Sequence, residues 1–418
     1  MVQSKSERGT FLTIGLCLMV AVFEGIDLQA AGLAVPQIRG EFHLIASQIG
    51  YFTAASSVGL LLGALGGGRL ADKIGRRFTL TLALVLFGLA SIATALSPSL
   101  EVLIATRFVT GVGLGGALPN LVALANENSP ASWKSRAVAI MYAGFPFGGA
   151  LASALMFWAA TPGSALNGLI GPDWRTIFYI GGLAPLLAVP LVNFVLPDSV
   201  EFARSKQSGG SSAGLFEVVF GGGRALNSIL LWISFFTTLM VLYLLLNWLP
   251  ALLTSRGFDR DQSFLVQLMF NAGGVPGSII AGVLMDRGGR RLTVPVLYAG
   301  LVLCLILMAG MPTDIGFAVL YGTLVGIFVM ATQGLLYGLA PVGYGTLIRG
   351  TGVGAAVCMG RIGSVAGPLF AGRLVGAGHT ASQVLMAIVP FAVVGGLTAV
   401  AVSARLKGQP IVRTAPAE

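Results

Sequence analysis

Glu24, Asp27, Arg107 and Arg361 are the strongly ionisable side chains that fall well inside the long apolar stretches of this 418-residue chain. A charged side chain in hydrocarbon costs about 2.5–3.5 kcal/mol even on the lenient insertion scale, so each must face a partner or a wet cavity. Glu24 and Asp27 stand at i and i+3, on one face of a helix. Two carboxylates so close in a desolvated site make a place that can bind and release a proton. An acid that only bonds a neighbouring helix is the structural alternative. Arginine stays charged, so Arg107 and Arg361 each need an anion, either a carboxylate of the first helix or an anionic ligand. Two purely structural salt bridges would also satisfy them.

Other side chains could line a cavity around these charges. Asn120, Tyr142, Tyr243, Asn247, Gln333 and Tyr337 all lie within apolar stretches. Gln333 and Tyr337, at i and i+4, share a helix face. Ordinary interhelical hydrogen bonding is the plainer reading of any one of them. Arg107 precedes Gly111, Gly113, Gly115 and Gly116, and the spacing of Gly111 and Gly115 makes a small-residue surface for close helix approach. His43 and His379 fall between spans, so a histidine proton relay is not expected. Cys17, Cys304 and Cys358 fall inside spans without disulfide or metal spacing. No metal cluster, nucleophile with base, or phosphate cradle is legible. Neither catalysis nor a cofactor is expected, and the carboxylates remain as the groups able to take up a proton.

Membrane-spanning helices must position these residues. Hydrophobic residues are 55% of the chain and charged residues 10%, against about 25% charged in a soluble domain. A spanning helix needs about 20 apolar residues. Spans are expected near 11–35, 48–70, 78–97, 100–124, 135–160 and 174–197, then near 225–252, 263–285, 292–311, 314–339, 348–375 and 381–404. The implied fold is all-α, with twelve transmembrane helices in two pseudo-symmetric six-helix bundles over 11–197 and 225–405. A Gly/Ser-rich linker at 198–224 and tails at 1–10 and 406–418 complete the chain. No soluble signalling domain fits in those short segments.

Charge sets the topology. With the N-terminus inside, eighteen Lys and Arg fall on cytoplasmic segments or span ends, from Lys5 to Arg413. Five fall outside: Arg39, Arg175, Arg256, Arg260 and Arg373. That imbalance places both termini in the cytoplasm. It also accounts for the net charge of +9 without nucleic acid. The first span carries Glu24 and Asp27 and no small-residue cleavage site, so it reads as an anchor rather than a signal peptide.

A turn is written twice. Gly68-Arg-Leu-Ala-Asp72-Lys73-Ile-Gly75-Arg76-Arg77 returns 214 residues later as Gly282-Val-Leu-Met-Asp286-Arg287-Gly-Gly289-Arg290-Arg291. Recurrence at half-length implies duplicated bundles. Asp72 and Asp286 can end one helix or cap the next, and Arg76, Arg77, Arg290 and Arg291 can meet helix C-terminal carbonyls or lipid phosphates. Such turns can latch one conformation. Topology anchoring alone explains the arginines but not the Asp and Gly positions.

On these turns the chain resembles the major facilitator superfamily. Glu24-Gly-Ile-Asp27, followed by Leu-Gln-Ala-Ala, is similar to the first-helix signature of its aromatic acid/proton symporters, whose usual form is Asp-Gly-aromatic-Asp; Glu24 and Ile26 depart from it. Thr110–Asn120, Asn247-Trp-Leu-Pro250 and Arg349–Arg361 carry the same likeness. The resemblance implies proton-coupled import of an aromatic carboxylate such as 3-(3-hydroxyphenyl)propionate, by a monomer in a bacterial inner membrane. It implies Glu24 and Asp27 in proton coupling, Arg107 and Arg361 in handling the anion, and Asp72 in gating. Drug or metabolite/proton antiport and a transporter-like sensor are the alternatives. The antiporter motif Gly-Pro-x2-Gly-Gly is matched only loosely by Gly144-Phe-Pro146-Phe-Gly148-Gly149, where the proline is displaced.

Overall fold

In a lipid core every backbone N–H and C=O must be satisfied within the protein, so long apolar stretches become helices. The computed structural model describes residues 7–129, 134–165, 167, 173–195, 220–221, 223–286, 290–344 and 349–405. Among them, twelve helices are long and apolar enough to cross a bilayer. They are α1 (Glu7–Glu41), α2 (Ala46–Ile74), α3 (Arg76–Ala95), α4 (Leu100–Glu127), α5 (Lys134–Ala160), α6 (Trp174–Val195), α7 (Ala225–Ser255), α8 (Arg260–Asp286), α9 (Arg290–Gly310), α10 (Ile315–Leu339), α11 (Arg349–Gly376) and α12 (Ala381–Arg405). A 3-10 turn, Ala340–Gly343, follows α10. The first helix runs on to Glu41, past the expected end at 35, because Pro36 sits inside it without ending it. Most of the expected linker at 198–224 and the tail at 406–418 lie outside the described residues.

The exterior is apolar where a soluble protein's would be polar, and several polar side chains are held inside. Phe194 is 87% exposed and Leu187 77% exposed on α6, an apolar exterior suited to acyl chains. Asp27, Arg107, Gln267 and Ser364 are wholly buried.

Chain packing divides into two compact units, Met1–Ile38 with Ala55–Gly210, and Arg39–Ala54 with Ser211–Glu418. In the first, α3 packs on α4 and α6, and α4 on α5. Its core includes Leu16, Val20, Leu60, Leu84, Phe87 and Leu121. Helices α2 and α4 interlock through glycine: a Cβ at Gly111 would stand 2.0 Å from the Ser56 carbonyl oxygen, at Gly115 2.2 Å from that of Leu60, and at Gly59 2.0 Å from that of Phe108. The expected small-residue surface beside Arg107 is therefore where α2 docks. In the second unit, α7 packs on α11 and α12, α8 on α10, and α9 on α12 and α10, around Phe235, Leu239, Tyr298 and Leu335.

Candidate functional site

In the first unit the carboxylate of Asp27 meets the guanidinium of Arg107. Arg107 Nη1 donates to Asp27 Oδ2 at 2.9 Å and Oδ1 at 3.1 Å, and Nη2 donates to the Asp27 main-chain oxygen at 3.3 Å. Both side chains are 0% exposed. The Phe178 ring of α6 lies 5.3 Å from the Arg107 guanidinium carbon, a cation–π contact. Ser91 of α3 donates to Asp27 Oδ1 at 3.0 Å. Of the anions that the sequence left open for Arg107, the fold supplies the first-helix carboxylate.

Glu24 lies one turn before Asp27 and is buried. Between them, Gly25 backs onto α5: a Cβ there would stand 2.2 Å from the Phe145 carbonyl oxygen. Only glycine lets the two helices touch there, and this contact fixes how the acidic turn of α1 sits against α5.

In the second unit three helices bring the other expected residues together. Arg361 of α11 donates from Nη1 to the Tyr243 hydroxyl of α7 at 2.7 Å. On α10, Gln333 hydrogen-bonds Tyr337, and Arg361 and Tyr243 both lie within electrostatic reach of Tyr337. The Tyr337 ring packs edge-on against Phe235 at 5.4 Å and 90°. Helix α11 approaches α7 closely because Gly363 bears on the Phe236 carbonyl, where a Cβ would stand 2.0 Å away. Asn247 instead donates its amide to the Tyr243 carbonyl at 2.8 Å, one turn back on its own helix. A guanidinium has five donors in a planar fork, enough to hold a phenol and a carboxylate together. Tyr243 and Tyr337 are thus neighbours of this guanidinium, and Phe235 packs behind Tyr337.

The remaining residues are more scattered. Asn120 donates to the Gly116 carbonyl of its own helix at 2.7 Å, and Tyr142 packs on Phe145. Asp72 lies in α2, Asp286 closes α8 and Arg290 opens α9, but the side chains of these three are outside the described part. Arg76 is half-buried at the start of α3. Its neighbour Arg77 donates to the Asn193 carbonyl in the last turn of α6 at 3.3 Å, the helix C-terminal contact expected of these turns.

Sequence reasoning did not single out Ser91, Phe178 or Phe235. A serine or phenylalanine within an apolar run carries no pattern that marks it. It also missed the role of Arg256, which follows α7 and donates to the Met308, Ala309 and Met311 carbonyls at the end of α9.

This architecture is that of known carriers. It matches the solved D-xylose–proton symporter with a TM-score of 0.75 at 18% identity, over 95% of this chain and 97% of that one. It matches a bacterial homologue of the human lysosomal transporter Spinster with a TM-score of 0.74 at 16% identity, over 96% and 98%. In sequence the chain is 41% identical to the 3-(3-hydroxy-phenyl)propionate transporter of Escherichia coli (strain K12), over 97% of this chain and 98% of the relative. It is 31% identical to a 4-hydroxybenzoate transporter of Pseudomonas aeruginosa, over 90% and 88%. Residues 17–368 match the family described as the Major Facilitator Superfamily. The chain therefore belongs to the Major Facilitator Superfamily, as a multi-pass membrane transporter and not an enzyme.

Proposed function

We propose that the chain imports an aromatic carboxylate, with 3-(3-hydroxyphenyl)propionate as the first candidate, by symport with protons. The observation that carries this reading is the Arg361 guanidinium set on the Tyr243 hydroxyl and close to Tyr337, whose ring rests on Phe235. A fork for a carboxylate beside aromatic edges fits a ring-bearing acid. The likeness to a 3-(3-hydroxy-phenyl)propionate transporter and a 4-hydroxybenzoate transporter supports the same class.

Asp27, with Glu24 one turn away, carries the coupling proton. Protonation of Asp27 removes the charge that holds Arg107 and makes that guanidinium available to an arriving carboxylate. Importing a monoanion against a negative-inside potential costs about 2.3 kcal/mol per 100 mV. One co-transported proton cancels that cost, and further protons drive accumulation. The two bundles expose their sites alternately to either side of a bacterial inner membrane. The Asp72/Arg76 and Asp286/Arg290 turns act as latches, both termini are cytoplasmic, and the monomer suffices.

The test is uptake of labelled 3-(3-hydroxyphenyl)propionate, 4-hydroxybenzoate and a non-aromatic acid into energised vesicles, with and without an uncoupler. Uncoupler-sensitive accumulation of the aromatic acids alone is expected. Accumulation indifferent to the uncoupler would rule out symport, and outward movement driven by an inward proton gradient would establish antiport instead.

A further inference from the structure

The Ser91 hydroxyl has one proton and two acceptors. Its Oγ lies 3.0 Å from Asp27 Oδ1 on α1 and 3.1 Å from the Phe178 carbonyl oxygen on α6. Ser91, Asp27 and Phe178 are all fully buried, and the α6 backbone closes over them: a Cβ on Gly181 would stand 3.5 Å from Ser91 Oγ and 3.8 Å from Asp27 Oδ1. One hydrogen cannot serve both acceptors fully, so the bond that forms depends on what Asp27 requires.

The duplicated bundle holds the comparison. Gly181-Gly182 in α6 and Gly395-Gly396 in α12 are 214 residues apart, the same offset as the paired turns. Around Gly395, Ser234 of α7 donates to the Gly395 carbonyl at 2.9 Å, and the Tyr298 hydroxyl of α9 lies 2.8 Å from Thr238 and 3.2 Å from Ser234. The first, third and sixth helices of each bundle thus meet at a buried polar knot on a glycine pair. In the second bundle the hydrogen-bonding side chains of this knot are hydroxyls, neutral at physiological pH. In the first bundle the knot contains a carboxylate.

We propose that Ser91 is a positioning residue that transmits the protonation state of Asp27 to helix α6. While Asp27 is ionised, Ser91 donates to its carboxylate. When Asp27 takes up one proton, its new O–H donates to Ser91 Oγ, and the serine hydrogen turns to the Phe178 carbonyl. No covalent bond changes apart from the O–H formed on Asp27. The Arg107 ion pair weakens at the same moment, and Phe178, whose ring Arg107 faces, receives both changes. Among the described residues, the charged groups nearest Asp27 along these helices are Glu24 on α1 and Arg107 on α4. The charged residues Arg76 and Arg77 open α3, Glu101 opens α4, and Arg175 lies in the first turn of α6, all at helix ends. Helix α5 meets this part of α1 through the backbone at Gly25 and Gly148. This inference rests on the reading that Asp27 carries the coupled proton.

The experiment compares Ser91→Ala, Ser91→Cys, Ser91→Thr and Asp27→Asn in proteoliposomes, using labelled 3-(3-hydroxyphenyl)propionate across a pH series, together with pH-difference infrared spectra of the carboxyl C=O band. Removing a donor to the ionised form disfavours that form, and this charge-assisted bond is the stronger of the two. Ser91→Ala should move the uptake midpoint to higher pH by about 0.5–1 unit and shift the band to higher frequency, with apparent substrate affinity unchanged. Ser91→Cys, a weak donor of similar size, should fall between, and Ser91→Thr should restore the parent profile. Asp27→Asn should erase both the band and proton-driven accumulation. If it erases them while Ser91→Ala and Ser91→Cys keep the parent midpoint and band, the relay is wrong and the proton site stands. If Asp27→Asn still accumulates substrate against its gradient, the proton site itself is wrong and Ser91 has nothing to transmit.

Discussion

Arg107 and Arg361 are both buried guanidinium groups, yet Arg107 grips the Asp27 carboxylate at 2.9 Å while Arg361 donates to the phenol of Tyr243 at 2.7 Å. The first is an ion pair sealed in one bundle. The second is a cation bonded to a neutral hydroxyl in the other. Two arginines alike in sequence therefore meet different partners, a carboxylate in one bundle and a phenol in the other.

Breaking the buried pair from one side leaves a charge in a site sealed from water. Arg107→Ala should destabilise the protein by about 3–5 kcal/mol. Asp27→Asn/Arg107→Gln should recover most of that stability without recovering uphill accumulation. Thermal unfolding in detergent and vesicle uptake on the same preparations separate the effects. A single Arg107→Ala variant as stable as the parent would mean that the pair does not form.

At Arg361 the shape of the donor group should matter as much as its charge. Arg361→Lys keeps the cation and loses the fork, so the apparent KM for aromatic acids should rise about 10-fold or more, in line with a lost charge-assisted bond of roughly 1.5–3 kcal/mol. Tyr243→Phe should raise it less. An unchanged KM in the lysine variant would make Arg361 a structural residue.

Tyr337 and Asn247 should part company. Tyr337→Ala removes a ring resting on Phe235 and bonded to Gln333, and should reorder the acids that compete for uptake at an unchanged pH profile. Asn247 bonds the carbonyl of its own helix, so Asn247→Ala should alter that order less. Glu24→Gln should do the reverse of Tyr337→Ala, changing the pH profile and leaving the competition order intact. A competition panel at several pH values reads all three variants together.

The α2–α4 seam offers a test of the fold with an internal control. Gly111→Ala drives a methyl to within 2.0 Å of the Ser56 carbonyl oxygen, and should cost about 1–3 kcal/mol or more through overpacking. Gly66 of α2 has nothing within 4 Å of its added Cβ, so Gly66→Ala should be neutral or slightly stabilising. Equal melting temperatures for the two variants would contradict this packing.

Much of this molecule was determined by its sequence alone. Twelve apolar stretches must be helices because hydrocarbon offers the backbone no other partner, and the repeat from Asp72 to Asp286 announces the duplication. Glu24, Asp27, Arg107 and Arg361 stood out because a charge in such a stretch is too costly to be incidental. Gly111 and Gly115 announced a close helix contact, though not that α2 would fill it. Tertiary structure alone decided who meets whom. Asp27 and Arg107 are 80 residues apart in the chain, and Arg361 and Tyr243 are 118 apart, distances over which no helical periodicity carries information. Ser91 shows the limit most clearly. Its side chain is ordinary in an apolar helix, and it became a candidate relay only because α1, α3 and α6 converge to bring a carboxylate and a carbonyl within reach of one hydroxyl proton.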